Sequence, residues 1–250
     1  MLEDGNSITF EKTGCIAVVK INNPPQNFLE SPVFISKESI RALAEDENIK
    51  GLVISGEGRH FSAGANLDSL FNMAKDVNVL RDKMSSGALL LEYISELKIP
   101  VVAAINGVCW GGGLEIAMSC HIRFASPKSL FAFPEINANL MPGLGGIARL
   151  VKQSGQFNAV AMLLSGDVFN AEEALKYNIV HQIADENVLD FSVKYLERLI
   201  GSKPKKVIVT IMQAIHNAYK LPLHEALHEE TRMFCDLALA EGLRRKSELK

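Results

Sequence analysis

The sequence predicts an α/β fold that ends in a helical C-terminal part. Short apolar segments rich in β-branched residues alternate with amphipathic stretches over residues 8–200, and this alternation is typical of strands and helices that share one core. The 250 residues are 48% hydrophobic and 22% charged, as in an ordinary globular protein. The last fifty residues show helical periodicity only, which predicts a separate helical end.

Each strand is predicted from a run of β-forming residues that is bounded by glycine, proline or polar residues. The predicted strands are residues 7–10 and 15–22, joined by a turn at 11–14, and then 51–55, 100–105 and 122–125. The predicted helices are residues 36–45, 68–75 and 80–97, one that begins at Gly112, and then 147–153, 156–164, 171–177, 187–200, 204–216 and 223–239. We place the core in residues 1–195 and the helical subdomain in residues 196–250, where an apolar stripe would pack on the core or on a neighbouring subunit.

The charge balance argues against nucleic acid and membranes as partners. The formal net charge is −3 and the pI about 6.1, and the long charge-free run at residues 99–114 is too short and too rich in glycine to span a bilayer. Three clustered lysines, Lys203, Lys205 and Lys206, either attract an anionic ligand such as a phosphate or form an ordinary solvated face.

Cysteine spacing and the chain ends predict a cytoplasmic protein. The four cysteines, Cys15, Cys109, Cys120 and Cys235, show no C-x-x-C spacing, so we expect reduced thiols. The N-terminal residues carry no basic or apolar signal region, and the C-terminal residues are not a peroxisomal address.

Two glutamates in glycine-rich surroundings are the strongest indication of chemistry. Glu115 follows three consecutive glycines, and Glu135 follows a proline 20 residues later. A glycine turn that opens a helix exposes backbone N–H groups to an anion, and carboxylates beside such groups can move protons next to a carbonyl. The triple glycine alone fits a ligand-free turn equally well. Residues 61–67 form a second turn of small residues, which either packs in the interior or supplies another oxyanion donor.

Three longer motifs make the chain resemble the crotonase superfamily, the enoyl-CoA hydratase/isomerase family. Residues 56–67 fit G-x-G-R-x-F-[SC]-A-G-A-[DN]-L, and residues 103–117 fit A-x-I-N-G-x-x-x-G-G-G-x-E-[LI]-A. Residues 131–135 fit F-x-x-P-E, and residues 142–150 fit P-G-x-G-G-x-x-R-L. The motifs occur in the family's order, and the resemblance covers most of residues 8–200, which makes it specific.

The resemblance implies a role for each motif residue. The N–H groups of Ala65 and Gly112 would form an oxyanion hole for the carbonyl of an acyl thioester. Glu115 would activate water for attack at the β carbon, and Glu135 would deliver a proton to the α carbon. The same motifs imply further substrate-binding positions, namely Ala63, Gly64, Asn66, Leu67, Gly111, Pro134 and Gly143.

The resemblance also implies the architecture and the partners. The fold would be a ClpP/crotonase-like spiral of ββα units, with the C-terminal helices as a trimerisation subdomain of a homotrimer or homohexamer. The substrate would be an acyl-CoA or an acyl-carrier thioester. Coenzyme A then belongs to the substrate, and we expect no separate cofactor and no metal.

The chain departs from the family pattern in four places. His121 stands where the family often has Asp, and Ala132 replaces a frequent Gly. Residues 27–29 replace an Asn-x-Leu-Asn stretch that normally helps to hold coenzyme A, and the helix expected within residues 27–45 looks shortened. Residues 137–140 lack the usual glycine-bearing stretch, which points to an altered acyl pocket.

Two other motifs indicate different chemistry with less force. His224, Glu225 and His228 form H-E-x-x-H, a zinc-protease arrangement on a helix, but no third ligand is evident and the segment lies in the predicted assembly helices. Residues 143–148 fit G-x-G-x-x-A, yet no good strand precedes them, as a dinucleotide site requires. Cys109 lacks an evident histidine partner for a nucleophilic thiol.

The sequence therefore predicts an enzyme that hydrates enoyl thioesters. Both carboxylates are present, which favours hydration over reactions that need a single acid–base group. A double-bond isomerase and an acyl-thioester decarboxylase on the same fold stay open as alternatives. A non-catalytic assembly subunit that binds partners through its C-terminal helices is the alternative outside enzymology.

Overall fold

A computed structural model describes residues 7–248 of the chain. Within them, the strands are β1 (Ile8–Thr13), β2 (Ile16–Ile21), β3 (Gly51–Gly56), β4 (Val101–Ile105), β5 (Val108–Trp110), β6 (Ile122–Ala125), β7 (Leu130–Ala132), β8 (Phe169–Asn170) and β9 (Gln182–Ile183). The α-helices are α1 (Lys37–Glu45), α2 (Leu67–Met73), α3 (Val77–Ser95), α4 (Gly112–Ser119), α5 (Gly146–Ser165), α6 (Ala171–Lys176), α7 (Val188–Ile200), α8 (Lys205–Lys220) and α9 (Leu223–Glu248). A 3-10 helix, Pro134–Ala138, follows β7.

The larger sheet has six strands in the order β1-β2-β3-β4-β6-β9. The β1–β2 pair is antiparallel, and all the other pairs are parallel. Successive residues of a strand point to opposite faces, and both faces of this sheet are covered. Leu52 and Ile54 join the cluster that includes Leu91 and Ile94 of α3, whereas Val53 joins the cluster on the α7 side. The apolar runs of these strands follow from this double burial.

A second sheet of three short strands, β5-β7-β8, stands beside the first. Its strand β5 follows β4 after two residues and leads directly into the glycine turn before α4. A bridge between Ser62 and Cys109 joins the 61–66 loop to β5. This bridge and the turn bring two loops that are distant in sequence to one place.

The α/β prediction is confirmed, with corrections to the elements. Strand β1 continues to Thr13, so the predicted 11–14 turn is wrong: the connection is Gly14–Cys15, with Gly14 at φ +55°. Strands β5, β7, β8 and β9 have two or three residues each, too few to show a periodic pattern. The two helices predicted on either side of Gly155 are confirmed: α5 spans both, and they meet at a kink where Gly155 is non-helical, with φ +82°.

The C-terminal helices differ in what they pack against. Helix α7 lies on strands β2, β3, β4 and β6, and α8 pairs with α9. Lys205, at the start of α8, donates to the carbonyls of Ala44 and Asp46 at 2.8 and 2.6 Å, so this lysine caps the end of α1. None of the helices in residues 7–248 has the length and hydropathy needed to cross a bilayer. The division at residue 196 stays a prediction.

Candidate active site

Helix α4 carries the first predicted carboxylate into the interior. It begins after Gly111, which has a φ of +47°, a backbone conformation that glycine adopts more readily than other residues. Every residue of the helix is buried. Glu115 lies in the first turn and is 2% exposed. Its Oε1 accepts hydrogen bonds from the N–H groups of Leu144 and Gly146, both at 2.7 Å.

The protonation of Glu115 is set by two opposing effects. Burial raises the pKa of the Glu115 carboxyl, because it disfavours the charged form. The N–H groups of Gly146 and Leu144 and the nearby charge of Arg149 favour the carboxylate and oppose this rise. Burial is the larger effect, so the pKa lies above its ordinary value. The carboxylate is nevertheless the form that these donors are arranged to receive.

Glu135 is less deeply buried than Glu115, and its carboxyl has fewer hydrogen-bond donors. It follows Pro134 in the first turn of the 3-10 helix, and its carboxyl lies against Gly111, where a Cβ would come within 2.7 Å of Oε1. Its Oε2 is buried and accepts no hydrogen bond from residues 7–248. Burial, and secondly the charge of Glu115, raise the pKa of Glu135 to about 7.

Two backbone N–H groups in the turns beside these carboxyls find no acceptor within residues 7–248. Leu29 donates to the Gly64 carbonyl at 2.8 Å, and Asn66 donates to the Leu29 carbonyl at 2.9 Å. In this parallel bridge the intervening Ala65 directs its N–H to the other side. Neither the Ala65 N–H nor the Gly112 N–H donates to an acceptor within residues 7–248. A Cβ on Gly112 would lie 3.9 Å from the Ala65 nitrogen, so the two peptides are neighbours.

Glycine at position 64 makes this approach possible. Gly64 has φ +89°, and a Cβ there would lie 2.8 Å from the Trp110 carbonyl oxygen and 3.3 Å from the Gly112 nitrogen. Any side chain would push the two loops apart. Gly113 is similarly restricted, because a Cβ would come within 2.6 Å of the Ser62 carbonyl oxygen. The glycines therefore set the spacing of the two free N–H groups.

The remaining predicted substrate-binding residues occupy several environments. Ala63 donates its N–H to the Gln26 carbonyl at 2.9 Å. The Asn66 side chain caps α2, accepting from the N–H groups of Asp68 and Ser69. Leu67 is 44% exposed. Gly143 packs against the Met84 side chain of α3, in the loop that leads to the donors of Glu115.

Two of the departures from the family pattern have structural partners. His121 accepts from the Val101 N–H through Nδ1 at 3.0 Å, and its Nε2 lies 3.3 Å from the Ser95 carbonyl. Burial lowers the pKa of this imidazole to about 4, so it is a neutral bridge between α3 and β4. Asn27 is fully buried and donates to the carbonyls of Glu57 and His60 at 2.9 and 2.7 Å.

The other two departures lie close to Glu135. The Ala132 carbonyl accepts the Gly111 N–H at 3.0 Å, so this residue helps to position the turn before α4. Residues 137–140 complete the 3-10 helix and its left-handed cap at Asn139, where φ is +56°. Leu140 donates its N–H to the Glu135 carbonyl at 2.9 Å, and its side chain is 39% exposed.

The competing motifs do not assemble into sites. Cys109 is buried, which raises the pKa of its thiol well above the ordinary value and makes it a poor nucleophile. The side chains of His224 and Glu225 are 82% and 53% exposed on α9. No group of three or more potential metal ligands occurs within residues 7–248. The G-x-G-x-x-A run enters α5 without a preceding strand.

The structure adds three residues that the sequence patterns did not assign. Leu144 and Gly146 supply the N–H groups that hold Glu115, and a Cβ on Gly146 would lie 2.9 Å from Oε1. Arg149 donates to the Leu144 carbonyl at 2.7 Å, which fixes the turn. The P-G-x-G-G-x-x-R-L motif contained the signal, because a proline–glycine turn ahead of a helix presents such donors.

Comparison with known proteins decides the family. The family model for enoyl-CoA hydratase/isomerase matches residues 11–247. The chain belongs to the enoyl-CoA hydratase/isomerase family. A probable enoyl-CoA hydratase of Bacillus subtilis (strain 168) is 31% identical over 92% of this chain and 89% of its own length. The short-chain-enoyl-CoA hydratase of Clostridium acetobutylicum is 31% identical over 92% and 88%, respectively.

Solved structures agree with this family. DspI of Pseudomonas aeruginosa superposes with a TM-score of 0.85 at 31% identity, and the match covers 96% of this chain and 98% of that one. An enoyl-CoA hydratase structure from Bacillus anthracis gives a TM-score of 0.83 at 25% identity, with 98% and 97% covered. The predicted crotonase fold and the predicted enzyme family are thereby confirmed.

Proposed function

We propose that this enzyme adds water across the 2,3 double bond of an enoyl-CoA, giving a 3-hydroxyacyl-CoA. The observation that carries the proposal is the pairing of two unlike carboxyls with two free N–H groups. Glu115 accepts two backbone hydrogen bonds, whereas the buried Oε2 of Glu135 accepts none within residues 7–248. Two carboxyls whose surroundings separate their protonation can act as base and acid at one pH.

The base in this reaction is Glu115. Its bonds from Leu144 and Gly146 stabilise the carboxylate, whereas Oε2 of Glu135 accepts no such bond within residues 7–248. As the Glu115 carboxylate takes a proton from water, the water oxygen bonds to the β carbon. The electron pair of the double bond then moves toward the thioester oxygen and forms an enolate.

The oxyanion donors are the N–H groups of Ala65 and Gly112. Both are unused within the described chain, and Gly112 is also the first residue of α4, whose dipole favours negative charge at that end. An enolate oxygen carries more charge than the starting carbonyl, so fixed donors stabilise it more than they stabilise the substrate. Losing one such donor typically costs about a hundred- to a thousand-fold in kcat.

The acid is Glu135. Burial raises the pKa of this carboxyl to about 7. At lower pH the carboxyl therefore carries a proton, which it can donate to the α carbon of the enolate. The product then leaves Glu115 protonated and Glu135 ionised. Exchange of protons with solvent restores the starting state before the next turnover. No other cofactor enters this sequence of steps, because coenzyme A is carried by the substrate.

Product analysis with a panel of thioesters tests the proposal. We expect a gain of one water molecule on enoyl-CoAs such as crotonyl-CoA, and the same panel on an acyl carrier protein identifies the carrier. Migration of a β,γ double bond without water gain would favour an isomerase. Loss of CO₂ from an acidic acyl thioester would favour a decarboxylase. Binding without turnover of any member would favour a non-catalytic subunit.

The rate of hydration should depend on pH in a bell-shaped manner. Raising the pH through about 7 ionises Glu135 and removes its transferable proton, so kcat/KM should fall about tenfold per pH unit above that point. Lowering the pH protonates Glu115 and removes the base. Product formation, followed by mass spectrometry between pH 5 and 9, measures both limbs. A rate that stays level from pH 7 to 9 would contradict the assigned acid.

We further propose that the chain acts as a homotrimer or homohexamer in the cytoplasm. Several large apolar side chains of α9 are more than half exposed in the single chain: Leu223, Leu227, Phe234, Leu239 and Leu243. Burial of these side chains against other copies would remove apolar surface from water. Sedimentation velocity should give three or six copies, and a monomer at micromolar concentration would contradict the assembly.

The free cysteines of the chain support the proposed cytoplasmic location, because thiols stay reduced in a reducing compartment.

A further inference from the structure

One exposed carboxylate next to the Ala65 loop accepts hydrogen bonds from three side chains of two segments, the start of α2 and the region of Asn23. Glu30 accepts from the Ser69 hydroxyl at 2.5 Å through Oε2. Its Oε1 accepts from the side-chain amides of Asn66 and Asn23, at 3.0 and 3.3 Å. These bonds, that from Ser69 above all, lower the pKa of Glu30. We refer to Glu30, Asn23, Asn66 and Ser69 as the Glu30 clamp.

The clamp lies next to the Ala65 peptide through residues 30 and 66. Glu30 directly follows Leu29, whose backbone forms the bridge to Ala65. Asn66 directly follows Ala65, and its Oδ1 accepts from the N–H groups of the first turn of α2. The Glu30 carboxylate therefore links the segment at Leu29 to the start of α2. Ala65, whose N–H is the proposed donor, lies between these two attachment points.

We propose that Glu30 is a positioning residue that holds the Ala65 N–H in register with the Gly112 N–H. The inference rests on the proposed oxyanion hole. Three backbone hydrogen bonds also tie the Ala65 loop to the 26–29 segment: Ala63 donates to Gln26, Leu29 to Gly64 and Asn66 to Leu29. Ala65 itself is exposed, so packing contributes little to its placement. A donor contributes fully only when it lies at hydrogen-bond distance from the developing oxyanion.

The chemistry of the clamp predicts a graded response to substitution. A carboxylate only accepts, and three donors converge on it here. Glutamine keeps one accepting oxygen for the two asparagine amides, and its NH₂ group can donate to the Ser69 hydroxyl instead. Alanine removes all three bonds. We therefore expect wild type, Glu30→Gln and Glu30→Ala to form a descending series in carbonyl polarisation.

Enzyme kinetics and one spectroscopic signal test the clamp in the full-length protein. Glu30→Ala should lower kcat about tenfold, a fraction of the hundred- to thousand-fold cost of losing a donor outright, with KM changed by less than about threefold. The absorbance of a bound conjugated dienoyl-CoA, which moves to longer wavelength when the thioester carbonyl is polarised, should shift less. Ser69→Ala in the Glu30→Ala background should add little further, because both act in one clamp.

Glu173→Ala is the matched control. Glu173 is also exposed, and its carboxylate accepts a hydrogen bond from the Asn170 N–H, but this bond caps α6. The Glu173→Ala variant should have a lower Tm than wild type, with kcat and the wavelength shift unchanged. A full wavelength shift and wild-type kcat in Glu30→Ala would overturn the proposal, as would losses that simply follow Tm in both variants.

The spectroscopic readout separates this inference from the proposed hydration. A wild-type protein that shifts the dienoyl absorbance but adds no water would refute the proposed hydration and still allow the clamp to be scored by the shift. A wild-type protein that binds the dienoyl-CoA without any shift would refute the oxyanion hole, and the role assigned to Glu30 with it.

Discussion

Glu115→Gln should lower kcat for enoyl-CoA hydration by about a thousand-fold, within the range that one general base contributes. The amide oxygen of glutamine can still accept from the N–H groups of Leu144 and Gly146, which now bond Oε1 at 2.7 Å. The fold and the binding of thioester should therefore survive, and KM should change little. The variant lacks only the basic carboxylate that takes the proton from water.

The matched control is Glu186→Gln. Glu186 pairs with Lys194 on the exposed surface at 2.8 Å, and a surface pair of this kind contributes little to stability. Its activity should equal that of wild type in initial-rate assays with crotonyl-CoA. A Glu115→Gln enzyme that retains more than about a tenth of wild-type kcat would remove Glu115 from the role of base.

Gly112→Pro should lower kcat by about a hundred- to a thousand-fold, because it removes one backbone donor of the proposed oxyanion hole. Proline is tolerated at the first position of a helix, where its missing N–H breaks no helical bond, and Gly112 is the first residue of α4. The substitution thus removes the proposed donor without deleting a hydrogen bond of the helix.

Gly112→Ala isolates the loss of the N–H from the added bulk. A Cβ there meets the Leu29 Cδ1 at 3.2 Å and the Ala65 nitrogen at 3.9 Å, contacts that a small shift of Leu29 relieves. Alanine keeps the N–H, so we expect kcat within about tenfold of wild type, far above that of the proline variant. Equal losses of kcat in the two variants would indicate crowding instead of a missing donor.

The sequence predicted the carboxylates more readily than their surroundings. Glu115 and Glu135 stand in motifs that contain their own glycine and proline markers. The helix that begins at Gly112 was predicted from its glycines, whereas the 3-10 helix Pro134–Ala138 around Glu135 was not. Their different environments depend on tertiary contacts. The donors to Glu115 come from residues 29 and 31 positions away, and no local pattern specifies that distance.

The short strands show the same limit in the fold. Strands β5 and β7 have three residues each, so periodicity could not identify them, yet they place Gly111 and the 3-10 helix beside each other.

The sequence explained the departure from the family pattern at residues 27–29 only in part. Asn27 is buried and holds the 57–60 loop, whereas Glu30, which no motif singled out, contacts the α2 cap.

Isotope labelling of the product measures the central claim most directly. Incubation of the wild-type enzyme with an enoyl-CoA in water enriched in ¹⁸O and deuterium, followed by tandem mass spectrometry, locates each added atom. We predict one ¹⁸O on carbon 3 and one deuterium on carbon 2 of a 3-hydroxyacyl-CoA, with both lost in Glu115→Gln. Deuterium on the acyl chain without ¹⁸O, or substrate recovered without either label, would contradict the account.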